Sequence, residues 1–446
     1  MEVKISHYSK RGHGLGAAGT GEAEVAGTVV GDQVLVAIGK RRKKKQGATL
    51  LEVLVPSPDR VAPRCKHAGI CGGCAWQQLS YATQLKTKQE RLEQLFSPSP
   101  LPLIPCESPW AYRNKMEFSF SQNKNGDRFL GLMIGRSRGH VLNLEECFLT
   151  SSWFIKVVSS VRDWWEESGL QAYYPPTDSG SLRTLTLREG KRTGDKMVFL
   201  TVSGNHDYFV NKGQLQAFKE AVERALPDER PSLFMRIQRI AKGKPTEFYE
   251  MHLGGPDHIQ ETLQIKGRQM DFHISPASFF QPNTFQAERL YARALELVDP
   301  AATDTVFDLY CGTATLGIIF APYVKKVVGM ELCPYAVCDA KVNVELNQLT
   351  NVVIRKGDVG TLLAHCSDAP DLCIIDPPRS GLDPTALKHL ERLSPKKILY
   401  ISCNPATQSE NISRLLEAGY MLKTTQGVDQ FPHTPHIENI AILLKT

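Results

Sequence analysis

The chain is predicted to be an α/β protein. Its C-terminal part, residues 276–446, reads as a doubly wound, mostly parallel sheet. Residues 1–60 read as a small β-barrel, and a mixed α+β region fills 61–275 between them. Three observations predict this. After residue 300, short buried apolar runs alternate with helical segments, the rhythm of parallel strands joined by crossover helices. Near the start, short β-type runs follow one another closely with glycine turns between them, as in small barrels. The length of 446 residues, at about 150 per domain, suggests about three domains.

Composition bounds the class. With 42% hydrophobic and 22% charged residues the chain is neither disordered nor fibrous. No apolar run reaches the roughly 18 residues of a membrane span, and the start MEVKISHYSKRGHG lacks the apolar core of a secretion signal, so a cytoplasmic protein is expected. Eleven cysteines then point to thiols or metal ligands rather than disulfides. Charge is unevenly spread: residues 1–45 hold nine Lys/Arg and four acids, so +5 of the total +6 lies there.

Taken in order, β runs are expected over 24–30, 33–38 and 49–55, with the basic run Lys40–Lys45 among them. Pro56-Ser57-Pro58 with Pro63 reads as a linker. A helix is expected over 81–96, ending at Ser97-Pro98-Ser99-Pro100. The middle region shows strands at 115–121 and 182–188 and a helix at 214–225, without a chemistry of its own. The parallel strands are expected at 305–309, 326–330, 352–355, 372–375 and 397–401, with a last strand at 440–444.

In an open parallel sheet, ligands bind beyond the carboxyl ends of the strands. Here those ends carry Asp308-Leu309-Tyr310-Cys311-Gly312, Glu331, Asp358, Asp376-Pro377-Pro378 and Ser402-Cys403-Asn404-Pro405. Gly312 and Gly317 do not complete a G-x-G-x-x-G fingerprint, and a plain core turn is the alternative. Glu331, at the tip of the second strand, is placed to take both hydroxyls of a ribose. A ring of acids repels a pyrophosphate and favours a cationic sulfonium, which S-adenosylmethionine provides. The two prolines after Asp376 stiffen the strand end, a device that holds a base being modified in many methyltransferases.

Cys403 breaks a buried strand at a stiff Asn-Pro turn, and beside Asp376 it reads as a nucleophile rather than an inert thiol. Methyl transfer to carbon 5 of uracil requires one: addition of a thiolate at carbon 6 turns the ring into an enolate with charge on carbon 5. A base must then remove the carbon-5 proton. Glu438, just before the last strand, is the candidate, an exposed strand-start residue being the alternative. His433 and His436 read as structural or RNA-facing. Separately, Cys65, Cys71 and Cys74 form C-x5-C-x2-C, whose last pair can reach one metal; spacing leaves zinc and an iron–sulfur cluster both open. It is not the C-x3-C-x2-C of radical enzymes.

These residues stand in motifs that closely resemble the RNA uracil-C5 methyltransferases, above all the 23S rRNA 5-methyluridine enzymes. DLYCG at 308–312, IIDPPRSGL at 374–382, YISCNPAT at 400–407 and PHTPHIENI at 432–440 carry the resemblance, which extends over nearly the whole chain. It implies a Rossmann-like class I methyltransferase domain, Cys403 as nucleophile and Glu438 as proton acceptor. It places Gln281, Tyr310, Thr315, Glu331, Asp358 and Asp376 around S-adenosylmethionine. It adds Cys147 as fourth ligand to Cys65, Cys71 and Cys74, and favours a [4Fe–4S] cluster over zinc. Residues 1–60 resemble a TRAM domain, whose Lys40–Lys45 run would neutralise RNA phosphates. Tyr112-Arg113-Asn114-Lys115, and Phe279 or Phe280, are expected to contact RNA. A monomer acting on 23S rRNA is implied, with tRNA as the alternative. Ala314 departs from the family, which usually has glycine there. Rival readings are a 5-methylcytosine or N6-adenine methyltransferase, or a noncatalytic RNA-binding iron–sulfur protein. Arg379 stands where cytosine enzymes carry a second cysteine and adenine enzymes an aromatic.

Overall fold

The computed structural model describes residues 1–19, 21–42, 45–135, 139–241, 243–244, 246–367 and 369–446. Five strands come first: β1 (Glu2–Tyr8), β2 (Gly14–Ala18), β3 (Gly21–Val25), β4 (Gln33–Arg42) and β5 (Lys45–Val55). They close into a barrel in the order β1-β2-β3-β5-β4. Alternate residues Val3, Ile5, Ala23, Val25, Val34 and Val36 fill its interior, as strand periodicity requires. Gly16 lets β2 approach β1, because a Cβ there would stand 2.3 Å from Lys4 O. The strand expected over 24–30 stops at Val25. Buried Asp32 accepts from Val29 N at 2.6 Å and Ser57 N at 2.9 Å and pairs with Arg60, which folds 26–32 into a turn instead. Of the basic run, Lys43 and Lys44 lie outside the described residues.

The next helix, α1 (Tyr81–Glu93), is capped by Ser80, which accepts from Thr83 N; β6 (Leu101–Ile104) follows. The middle region holds β7 (Lys115–Gln122), β8 (Arg128–Gly131), α2 (Trp153–Glu167), β9 (Leu182–Glu189), β10 (Lys196–Ser203), α3 (Lys212–Ala225), β11 (Ser232–Arg239), β12 (Glu247–Gly254) and the hairpin β13 (Ile259–Ile265) with β14 (Arg268–Ile274). Its six-stranded sheet runs β12-β11-β10-β9-β7-β8, and α2 and α3 bury Trp164, Trp165 and Phe218 against one face.

From residue 284 strands and helices alternate as expected: α4 (Thr284–Val298), β15 (Thr305–Leu309), α5 (Thr315–Phe320), β16 (Lys326–Glu331), α6 (Pro334–Leu346), β17 (Val352–Lys356), α7 (Val359–Ala364), β18 (Leu372–Ile375), α8 (Pro384–Leu393), β19 (Lys397–Ser402), α9 (Pro405–Glu417), β20 (Tyr420–Val428) and β21 (Glu438–Lys445). The sheet order is β17-β16-β15-β18-β19-β21-β20-β6. The first five are mutually parallel, β21 runs antiparallel to β19, and β6 closes the far edge from the middle of the sequence. One face is packed by Leu290, Ile318, Ile319 and Ala340 from α4, α5 and α6, the other by Leu387, Leu390, Ile412 and Leu415 from α8 and α9. Because β18, β15 and β16 are central and parallel, their carboxyl ends share one rim with that of β19. Among the described residues no helix is long and apolar enough to cross a membrane.

Candidate active site

The turn from β15 into α5 is tightly wound. Tyr310, Gly312 and Ala314 have φ of 60°, 54° and 63°, three left-handed residues in five. Ala314 accepts the conformation that favours glycine, at a cost of roughly 1 kcal/mol, and its methyl group is fully buried. Glu331 braces the turn with both oxygens: Oε2 accepts from Gly312 N at 3.0 Å and Oε1 from Cys333 N at 2.7 Å. Its carboxylate is thus fixed at the end of β16 by backbone donors. Thr315 opens α5, with its Oγ1 3.1 Å from that of Thr313. Tyr310 donates to Asp383 at 3.0 Å. Asp358 caps α7, accepting from Thr361 N at 2.9 Å.

Beneath the turn, Asp308 Oδ2 accepts from Gly317 N at 2.8 Å, while its Oδ1 is buried without a hydrogen-bond partner. Burial pushes the Asp308 carboxyl up to about 7. Asp376, at the end of β18, is likewise pushed up to about 7 by burial, although one edge of the residue reaches solvent. Glu438 opens β21 at 2% exposure, its Oε2 without a partner. Burial, then the neighbouring Asp376 charge, holds it well above the usual carboxylate range. It is not an exposed strand-start residue.

Cys403 lies within the field of both acids. Burial, then Glu438, pushes its thiol up to about 11, while the Arg379 guanidinium, hydrogen-bonded to it, pulls the other way. The Asn-Pro turn earns its stiffness: Asn404 Nδ2 donates to Arg379 O at 3.1 Å and to Thr407 Oγ1 at 2.6 Å, tying the two strand-end loops together. Sequence reasoning missed Tyr291. On α4 it reads as an ordinary apolar-face residue, yet it is buried beside Asp376, Glu438 and Asp308 and hydrogen-bonded to the Gln281 side chain. Gln281 is itself buried, its backbone carbonyl accepting from Asn114 Nδ2 at 2.9 Å.

A cleft of about 560 Å³ reaches Arg379 and is lined by Lys10, Arg11 and His13 of the barrel region, by the cysteine loop, and by Arg113, Phe431 and His436. Of the expected RNA-contact stretch, only Arg113 lines it. Tyr112 is buried and donates to Pro432 O at 3.2 Å, and Asn114 is buried against Thr284 and Gln281, so both serve packing. Phe280 is buried against Phe272, whereas Phe279 is 64% exposed.

Cys65, Cys71, Cys74 and Cys147 are all free thiols lining one small enclosed cavity of about 20 Å³, walled by Met116, Leu132, Leu144 and Leu149. Hydrogen bonds from Gly72 N to Met133 O at 2.9 Å and from Glu145 N to His67 Nε2 at 3.2 Å fold the two segments together. Burial raises all four thiols, Cys71 to about 11 and Cys74 to about 12. Among the described residues no group of three or more His, Cys, Asp or Glu is arranged to hold a metal ion.

The profile of the tRNA (uracil-5-)-methyltransferase family matches residues 215–358 and 367–446. An uncharacterized RNA methyltransferase of Protochlamydia amoebophila is 49% identical over 439 residues, covering 94% of this chain and 99% of its own length. Another, from Chlamydia trachomatis, is 41% identical over 85% of this chain and 97% of its own. The crystal structure of the Pyrococcus abyssi tRNA (uracil-54, C5)-methyltransferase with S-adenosyl-L-homocysteine superposes with a TM-score of 0.74 at 26% identity, over all of both chains. The chain therefore belongs to the tRNA (uracil-5-)-methyltransferase family, and is an S-adenosylmethionine-dependent RNA (uracil-C5)-methyltransferase.

Proposed function

We propose that the chain methylates carbon 5 of a uridine through a covalent Cys403–uracil adduct. The observation that carries this reading is the meeting of Cys403, Asp376 and Glu438 at one rim, with an unpartnered Glu438 oxygen buried there. Bound S-adenosylmethionine supplies an electrophilic methyl group on its sulfonium. Cys403, assisted by the Arg379 charge, loses its proton to water in the cleft and adds to carbon 6, moving the carbon 5–carbon 6 π pair into an enolate. Carbon 5 then takes the methyl group as the sulfonium carbon bond breaks. Glu438, as carboxylate, removes the carbon-5 proton, and the returning pair expels the Cys403 thiolate. Gln281, Tyr310, Thr315, Glu331, Asp358 and Asp376 are the residues we assign to the cofactor pocket.

The cysteine quartet is assigned a [4Fe–4S] cluster. This reading rests on the resemblance, together with the four thiols lining one small cavity. The chain is read as a TRAM-like barrel (1–60), a cluster and central RNA-binding region (61–275) and a methyltransferase domain (276–446). The substrate is RNA; 23S rRNA is favoured because barrel and cysteine quartet together resemble the rRNA branch, with tRNA as the second reading, supported by the Pyrococcus abyssi likeness. Because carbon 6 is unreachable inside a stem, the uridine must be extruded or lie in a loop.

Glu438→Gln tests the chemistry. Adduct formation is expected to persist while resolution fails, so an RNA-shifted, denaturation-resistant band accumulates with cofactor and RNA. Absence of that band removes Glu438 as the base.

A further inference from the structure

Residues 429–437 join β20 to β21 and deliver Glu438 to the rim. Their own sheet does not hold them alone: Asn283 bonds Gln430, Tyr112 bonds Pro432, and α1 makes the densest set of contacts. Lys88 Nζ and Asp429 Oδ1 form a fully buried ion pair at 2.5 Å, and Lys88 also donates to Phe431 O at 3.2 Å. Tyr81 donates to the other Asp429 oxygen at 2.8 Å. Gln84 Oε1 accepts from His433 N at 2.8 Å, while its Nε2 donates to Trp76 O at 3.0 Å and Leu79 O at 2.9 Å. Trp76 N donates to His433 O at 3.0 Å, and Trp110 stacks on the His433 ring at 3.9 Å. His433 needs holding, because its φ of 65° is left-handed in a residue with a side chain.

Tyr81, Gln84 and Lys88 recur at helical spacing on one face of α1. Gln84 and Lys88 are buried, where a helix ordinarily presents apolar side chains. That polar stripe is spent largely on the one segment that carries the base. We infer that Gln84 and Lys88 are positioning residues for the proton-abstraction step, holding 429–437 so that Glu438 faces carbon 5. This rests on Glu438 being the base.

The test is a single-turnover assay with RNA and S-adenosylmethionine, following adduct formation and decay separately. In Gln84→Ala, formation is expected within about twofold of the parent while decay slows about tenfold or more. Hydrogen exchange should quicken over 429–437 and stay unchanged over β19. A variant that removes the ion pair as a unit, Lys88→Met with Asp429→Asn, leaves no buried charge behind and carries the same expectation. Formation and decay falling together, or both staying at parental rates, would overturn the inference, as would unchanged exchange over 429–437. Glu438→Gln in the same assay separates the two readings. If it fails to trap the adduct, the base assignment fails; if it traps while Gln84→Ala resolves normally, only the positioning role fails.

Discussion

The two sulfur states of the cofactor provide a test of the acidic rim. Asp376 has its carboxyl pushed up to about 7 by burial, so at pH 6 it is mostly neutral and at pH 8 mostly ionised. A sulfonium beside it binds the ionised form, which makes affinity for S-adenosylmethionine rise with pH through 7. A carboxyl titrating alone at about 7 would go from about 9% ionised at pH 6 to about 91% at pH 8, and the neighbouring Glu438 spreads the rise over a wider interval. One carboxylate required in the complex therefore gives a gain of up to about tenfold over that interval, or about 1.4 kcal/mol. S-adenosylhomocysteine shares the adenosine, amino and carboxyl groups but has an uncharged sulfur, so its affinity should change far less. Titration calorimetry of both ligands at pH 6 and pH 8 reads the difference, and at pH 6 the S-adenosylmethionine complex should also release a proton. Asp376→Asn should shrink the difference between the two pH slopes, leaving only what Asp308, also pushed up to about 7, contributes. Equal slopes for both ligands in the parent protein would refute a raised Asp376 facing the sulfonium.

Two further outcomes are expected. Gly317→Ala should lower the urea midpoint, because the new Cβ would stand 3.0 Å from Asp308 Oδ2 and 3.1 Å from Val327 Cγ1. Overpacking of that kind costs about 1–3 kcal/mol against roughly 1 kcal/mol returned by helix propensity; a midpoint unchanged by circular dichroism would mean that Asp308 yields freely. Protein purified without oxygen should be brown and release acid-labile sulfide, and Cys71→Ser should lose both; a colourless protein carrying zinc would sink the cluster.

What the sequence disclosed follows burial. The strands at Thr305–Leu309 and Leu372–Ile375 were legible to the residue, because central parallel strands are buried on both faces and read as short, mostly apolar runs, TVFDL broken only by Thr305 and Asp308 and LCII unbroken. β20 was not, since Thr424, Thr425 and Gln426 interrupt its pattern, and Thr425 is nonetheless fully buried. Nor was β6, four residues with a proline, which only an edge tolerates. Cys403, Asp376 and Glu438 were proposed from their places at or beside strand ends, which the structure keeps. Tyr291 was not, because a tyrosine on the apolar stripe of α4 carries no mark of what lies opposite. Gln84 and Lys88 were hidden for the converse reason: polar residues on a helix read as its solvent face, and only the tertiary partner 429–437 shows otherwise. Long-range pairing, which no local pattern encodes, is also what brings Cys147 to the other three thiols.

The placement of charge gives the proposed chemistry its direction. Asp308, Asp376 and Glu438 are carboxyls held largely away from water, so their field acts over short distances on whatever occupies the rim. Lys10, Arg11 and Arg113 line the open cleft, where a phosphate backbone would be drawn and screened by salt. In the proposed reading a strand of RNA is attracted to the basic mouth, and the extruded base enters a depth whose buried acids are held toward their neutral forms. Arg379 stands at that boundary, lining the cleft on one side and bonded to the Cys403 thiol on the other. Its charge lowers the cost of forming the thiolate where the acids raise it. Arg379 therefore offsets part of the burial and acid field that push the Cys403 thiol up to about 11, and in the proposed reading it does so where the extruded uracil would arrive.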